Sequence, residues 1–178
     1  MSTGSLSSIV TDSAPASVAW STGSKTINKV LASLPDGRPL RTIMELLKGQ
    51  GYACGLVTTT RVTHATPAAW VSQQRDRDKE DDIALEYLKL NPDVLLGGGS
   101  SQFDPSKRKD RKDLFEIFSD TGYDVVKEKD NLLSSDILSS QKPLLGTFGS
   151  SHLDYYVDRM NQPKLAKKIP ALPEMTRV

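Results

Sequence analysis

A chain of 178 residues is long enough to bury one core and too short for a second compact domain, so a single domain over 1–178 is the expectation. Its composition, 37% hydrophobic, 6% aromatic and 25% charged, lies near the globular average and excludes a disordered or collagen-like polymer. Lys and Arg total 23 against 22 Asp and Glu, and the net charge of +1 makes no field to hold a polyanion, which argues against a nucleic-acid partner.

The chain opens on Met1-Ser2-Thr3-Gly4-Ser5, without the basic-then-apolar order of a signal peptide, and no window reaches the apolar length of a membrane span. After the apolar pair Ile9-Val10, the run Thr11-Asp12-Ser13-Ala14-Pro15-Ala16-Ser17 predicts a closely packed helix with Ser13 at its N-terminus. The free N–H groups and positive dipole end there favour an anion and the alkoxide form of a serine, as a nucleophile attacking a phosphoester needs. The plainer reading is that Asp12 or Ser13 caps the helix, with Pro15 in its first turn.

Pro35-Asp36-Gly37-Arg38-Pro39 is a turn, and residues 42–48 open on a capping box, Thr42 with Glu45 three residues on. Residues 52–58 read as a buried strand; it holds the lone cysteine, Cys54, which reads as packing and excludes an internal disulfide. The stretch from Val57 to Ala69 runs from that strand end into a helix with Thr66 as cap and Pro67 as first residue, and loops at strand C-termini are where α/β sheets place their sites. His64, on its own, reads as a hydrogen-bonded loop residue. Gln74-Arg75-Asp76-Arg77-Asp78 reads as a charged solvent face unless spacing gives it more.

A helix is expected over 81–90, a strand over 93–96, and a flexible loop in Gly97-Gly98-Gly99-Ser100-Ser101, which lacks the Lys-Ser/Thr of a phosphate loop. The basic run 107–112 is broken by Asp110 and reads as a solvated loop. A helix over 113–119 and strands over 123–126 and 144–148 follow; His152 reads as a helix-start residue and 163–178 as an extended, proline-bearing tail. Alternating strands and helices predict an α/β fold with a mostly parallel central sheet and flanking helices.

Two of these stretches carry a resemblance. Val10-Thr11-Asp12-Ser13-Ala14-Pro15-Ala16-Ser17, continuing to Gly23-Ser24-Lys25-Thr26, is similar to the nucleophile segment of alkaline phosphatases, Thr-Asp-Ser-Ala-Ala followed by small residues and Gly-x-Lys-Thr. Pro15 stands where most members have alanine, a change that the first turn of a helix tolerates. His64-Ala65-Thr66-Pro67-Ala68 resembles the family segment His/Asp-Ala-Thr/Ser-Pro-Ala. Residues 93–99 and, loosely, 143–148 extend the match over most of the chain.

The resemblance implies an alkaline phosphatase-like but incomplete fold, and hydrolysis of phosphate monoesters through a phosphoserine on Ser13. It implies two zinc ions and one magnesium in the intact enzyme, with Thr66 a magnesium ligand and His64 a group just behind it. Having His64 where some members have aspartate should weaken magnesium retention or admit zinc. The family's phosphate-binding arginine lies eleven positions after the hydroxyl, which falls on Arg77, with Arg75 as the alternative; Asp12 would hold Arg77 across the phosphate. Inorganic phosphate is the implied product ligand, a homodimer is compatible with the intact enzyme, and the implied location is periplasmic or extracellular. The family's other metal ligands, an aspartate before the nucleophile and later carboxylates and three histidines, have no counterpart here, and His152 matches no zinc motif. The expectation is therefore a catalytic piece of a longer enzyme, weakly active or inactive alone. The alternative is a non-catalytic α/β piece that binds phosphate without turnover.

Overall fold

The computed structural model describes residues 2–161; the tail expected over 163–178 lies outside the described residues. Four strands, β1 (Gly55–Arg61), β2 (Val94–Gly98), β3 (Asp124–Val126) and β4 (Leu144–Thr147), form one sheet in the order β1-β2-β4-β3. Every neighbouring pair is parallel, so each link between strands must cross the sheet, and helices supply those crossovers. In chain order the helices are α1 (Ser13–Thr22), α2 (Ile43–Lys48), α3 (Ala65–Ala68), α4 (Glu80–Leu90), α5 (Leu114–Asp120), α6 (Lys129–Leu132), α7 (Ser135–Ser139) and α8 (Tyr156–Asn161).

Period-2 alternation along the strands sorts their side chains onto two faces. Leu95, Leu145 and Val125 belong to the larger apolar cluster, with Ile83, Ala84 and Tyr87 of α4 and Leu114, Phe115 and Phe118 of α5. Leu96, Val126 and Leu144 belong to a smaller one, with Leu132 of α6 and Ile137 of α7. Both faces of β2 are thus covered, which explains its unbroken apolar sequence. β1 lies at the sheet edge and alternates between exposed and half-buried positions, Val57 being 46% exposed. Cys54, just before β1, is half-buried rather than fully packed away.

Local chemistry fixes the helix ends. Both bonds of the Thr42–Glu45 capping box form at the start of α2, and Asp113 caps α5 by accepting the Glu116 N–H at 3.1 Å. α1 stops at Gly23, which takes the left-handed φ of 73° that glycine tolerates. α3 starts earlier than its proline suggests: His64 occupies the cap position, and Thr66 and Pro67 fall within the first turn. Proline is tolerated there because first-turn N–H groups have no intrahelical acceptor.

The run of glycines after residue 96 is not a flexible loop. Gly97 and Gly98 are strand residues, Gly99 turns the chain with φ 92°, and Ser100–Gln102 is a short 3₁₀ helix. The basic run is not wholly solvated either. The Arg108 side chain is fully buried, pairs with Asp110 Oδ2 at 2.6 Å and donates to the carbonyls of Gln102 at 2.6 Å and Asp81 at 3.2 Å.

The segment after β4 crosses the carboxyl ends of β1 and β2. Gly99 N–H donates to the carbonyls of Gly149 at 2.8 Å and Ser151 at 2.9 Å, and Leu153 N–H donates to the Thr59 carbonyl at 2.8 Å. A Cβ on Gly98 would lie 2.1 Å from the Ser151 carbonyl oxygen, so glycine is what lets this segment seat. Gly98→Ala should therefore destabilise the fold by about 1–3 kcal/mol, the usual cost of overpacking, read as a lower midpoint in thermal or urea denaturation against wild type.

Candidate active site

Ser13 is the first residue of α1, placed at the positive end of a ten-residue helix by the residue before it. Asp12 caps the helix: its Oδ1 accepts the Ala14 N–H at 2.7 Å, and its Oδ2 accepts the Lys29 N–H at 2.9 Å. Asn28 holds the same turn from the other side, its Oδ1 accepting the Asp12 N–H at 3.2 Å and its Nδ2 donating to the Val10 carbonyl at 3.0 Å. The two other serines of α1 are engaged elsewhere. Ser17 Oγ donates to the Thr66 carbonyl and Ser21 Oγ to the Ala69 carbonyl, each at 2.7 Å, which staples α1 to α3.

Arg77 reaches Ser13 from the loop between α3 and α4. Its N–H donates to the Lys29 carbonyl at 2.8 Å, its Nη1 donates to Ser13 Oγ at 2.6 Å, and its Nη2 lies 2.7 Å from His64 Nε2. The side chain is 15% exposed, with Asp12 Oδ1 3.9 Å from Nη1. A largely shielded guanidinium beside a helix N-terminus is a strong electrostatic site for an oxyanion, because partial burial strengthens charge-assisted hydrogen bonds. Arg75 points elsewhere, donating from Nη2 to the Asp36 carbonyl at 3.0 Å on the turn at Gly37.

The His64 ring is fixed by its partner. A guanidinium only donates, so Nε2 must accept and the ring proton resides on Nδ1. That atom is buried and has no hydrogen-bond partner among the described residues. Burial, then the charge of Arg77, lowers the His64 pKa to about 4, so the imidazole is neutral from mildly acidic to alkaline pH. With the proton on Nδ1, His64 is set to donate to an oxygen rather than to offer a lone pair to a metal.

Thr66, half-buried in α3, lines a cavity of about 510 Å³ together with Met44, Leu56, Thr58 and Trp70. Among the described residues no group of three or more His, Cys, Asp or Glu side chains could hold a metal ion. His64 does not line that cavity.

His152 and Arg61 complete the neighbourhood, and sequence reading did not single out either for this place. His152 does not start a helix. It sits four residues before α8, on the segment laid across the strand ends, with its ring centroid 5.0 Å from that of His64 in an edge-on arrangement. Its Nδ1 accepts the Arg61 N–H at 3.0 Å, and its Nε2 lies 2.9 Å from Arg61 Nη1. A neutral imidazole has one acceptor nitrogen, so it satisfies one of those donors at a time. Arg61 also forks onto Glu80, with Nη2 2.6 Å from Oε1 and Nε 2.8 Å from Oε2, while Thr63 Oγ1 donates to Glu80 Oε2 at 2.5 Å. The signal available in the sequence was Arg61 at a strand C-terminus; His152 needed the topology, which brings the end of β4 beside the end of β2.

Comparisons with known proteins follow the same outline. The family model for alkaline phosphatase matches residues 1–178. Alkaline phosphatase 3 of Bacillus subtilis is 39% identical over 173 residues, covering 94% of this chain and 34% of the relative. The crystal structure of Thermus thermophilus alkaline phosphatase superposes with a TM-score of 0.86 at 44% identity, covering 97% of this chain and 35% of that one. A variant of the alkaline phosphatase from the Antarctic bacterium TAB5, with magnesium bound in its M3 site, matches with a TM-score of 0.75 at 26% identity over 85% of this chain and 43% of that one. The chain spans about a third of the length of the first two relatives.

The Arg61–Glu80 pair yields a stability prediction. The two side chains are 22% and 16% exposed, so removing one partner leaves the other charge poorly solvated. Burial raises the Glu80 pKa, but the bonds from Arg61 and Thr63 outweigh it and hold the group below its ordinary 4.5. A depressed folded pKa means that the stabilisation is complete above pH 4.5 and fades as pH falls through the folded value. Glu80→Ala should cost at least about 2 kcal/mol at neutral pH in urea denaturation. The gap to wild type should narrow as pH falls below 4.5 and through the lowered folded value, where Glu80 takes up its proton.

Proposed function

The chain belongs to the alkaline phosphatase family, and we propose that it forms the nucleophile-bearing and phosphate-gripping part of an enzyme that hydrolyses phosphate monoesters through a phosphoserine on Ser13. The observation that carries this reading is the 2.6 Å bond from Arg77 Nη1 to Ser13 Oγ at the N-terminus of α1. It brings a hydroxyl nucleophile, a planar cation and the positive end of a helix to one point, as phosphoryl transfer requires.

In this mechanism Ser13 Oγ attacks phosphorus in line with the departing alcohol oxygen, the P–O bond to the alcohol breaks, and phosphate remains on the serine. Water then attacks the phosphoserine and releases inorganic phosphate. The Arg77 guanidinium donates to Ser13 Oγ and favours its alkoxide before attack. With phosphate present, both terminal nitrogens transfer from Ser13 and His64 to two nonbridging oxygens, where the planar fork matches the spacing. Asp12 acts on Ser13 through the cap that orients the turn, and adds a carboxylate 3.9 Å from Arg77. Two zinc ions, when bound in such an enzyme, would lower the pKa of the serine and stabilise charge on the leaving oxygen. Thr66 and His64 are this chain's contribution to the magnesium surroundings.

The same proposal makes residues 1–178 one portion of a longer catalytic unit whose remaining metal ligands lie outside these residues. The chain alone would then turn over weakly if at all, and the alternative of phosphate binding without turnover describes that state. The family resemblance adds a periplasmic or extracellular location. Among the described residues no helix is long and apolar enough to cross a membrane.

Trapping at acidic pH with labelled phosphate, followed by peptide mapping of the full-length gene product, should find label on the peptide containing Ser13. Label on Ser17 or Ser21 instead would overturn the assignment, and their hydroxyls are committed to carbonyls of α3 and its C-cap. Arg77→Ala should weaken inorganic phosphate binding by roughly ten- to a hundredfold with metal content unchanged, since a cation contributes nothing to holding other cations. Arg75→Ala should leave the affinity within about threefold of wild type, because its guanidinium serves the turn at Gly37.

A further inference from the structure

The backbone of one residue, Lys29, touches both halves of the Ser13–Arg77 pair. The N–H of Lys29 donates to Asp12 Oδ2 at 2.9 Å, on the turn that carries Ser13. The carbonyl of the same residue accepts the N–H of Arg77 at 2.8 Å. Lys29 achieves this in the left-handed region, with φ 70°, a conformation that residues with a side chain seldom adopt and that persists where surrounding bonds fix it. Asn28, beside it, holds Asp12 N–H and the Val10 carbonyl, so residues 28–29 bracket the nucleophile turn. The Lys29 ammonium contributes less. It pairs with Asp78 Oδ2 at 3.0 Å, but the two side chains are 63% and 64% exposed, and pairs so open to water are worth little.

From this we infer that Lys29 is a positioning residue whose left-handed backbone sets the register between the Ser13 turn and the Arg77 loop, independently of its charge. The inference rests on the reading that Ser13 and Arg77 take phosphate. The two segments have separate origins, and an error of an ångström between them would pull the guanidinium off the serine oxygen. A single residue bonded to both removes that freedom. Its φ of 70° orients the two peptide units that flank it toward the two segments.

The test is a double-mutant cycle in the full-length gene product, with inorganic phosphate as the probe and calorimetric affinity as the readout. Lys29→Gly keeps the backbone conformation at no steric cost and should hold phosphate within about threefold of wild type, as should Asp78→Ala. Lys29→Val, strained at this φ, should weaken phosphate about tenfold. In an Arg77→Ala background the same Lys29→Val change should weaken it by less than about threefold, because the residue acts through Arg77. Should the valine variant not fold, Lys29→Ala takes its place in the cycle. A tenfold loss in Lys29→Gly or Asp78→Ala would overturn the inference, and so would a Lys29→Val effect of equal size in both backgrounds, which marks a general loss of stability. If Arg77→Ala leaves phosphate affinity unchanged, the reading beneath the inference fails, and that outcome is distinct from the others.

Discussion

The hydrogen bond between Arg77 and Ser13 joins residues 64 positions apart in the chain, and most of the neighbouring structure serves to bring its two ends together. On one side the Asp12 cap and Asn28 fix the turn, and Ser17 and Ser21 tie α1 to α3. On the other, the Arg77 backbone is anchored on Lys29 and its second guanidinium arm on His64. A guanidinium held this closely has already lost much of the rotamer freedom that an oxyanion would otherwise have to remove on binding. The parallel sheet contributes by its geometry: β1 ends at Arg61 and leads directly into His64, so the site lies at strand carboxyl ends, as open α/β sheets favour.

One feature next to the site is locally costly. His64 Nδ1 is buried without a partner among the described residues, whereas His152, which meets two donors of Arg61 with one lone pair, is exposed, so water can take the donor it leaves. Buried polar groups are ordinarily satisfied, and exceptions gather where a ligand or a further segment completes the bonding. His64 and the left-handed Lys29 both bond Arg77.

Much of the scaffold was legible in the sequence because it follows from short-range rules. The capping box at Thr42 and Glu45, the apolar runs of β2 and β4 and the alternation that implies a parallel sheet all depend on neighbours within a few residues. The Thr11-to-Pro15 and His64-to-Ala68 strings announced the family for the same reason: the chemistry is written in contiguous residues. The parts that were misread depend on distant partners. Gly97 and Gly98 look like a loop until β1 and β4 close around them, and Arg108 looks solvated until the carbonyls of Gln102 and Asp81 are brought to it. His152 has no local signal at all; only the crossing of the post-β4 segment over β1 and β2 carries it to His64 and Arg61.

The central claim is that phosphate is gripped between the Ser13 oxygen and the Arg77 guanidinium, and a structure of the full-length gene product with phosphate or vanadate bound tests it most directly. The account predicts the anion at the N-terminus of α1, with Ser13 Oγ facing phosphorus or vanadium and both Arg77 terminal nitrogens on nonbridging oxygens, released from Ser13 and His64. An anion bound elsewhere, with Arg77 still on Ser13 and His64, would contradict it.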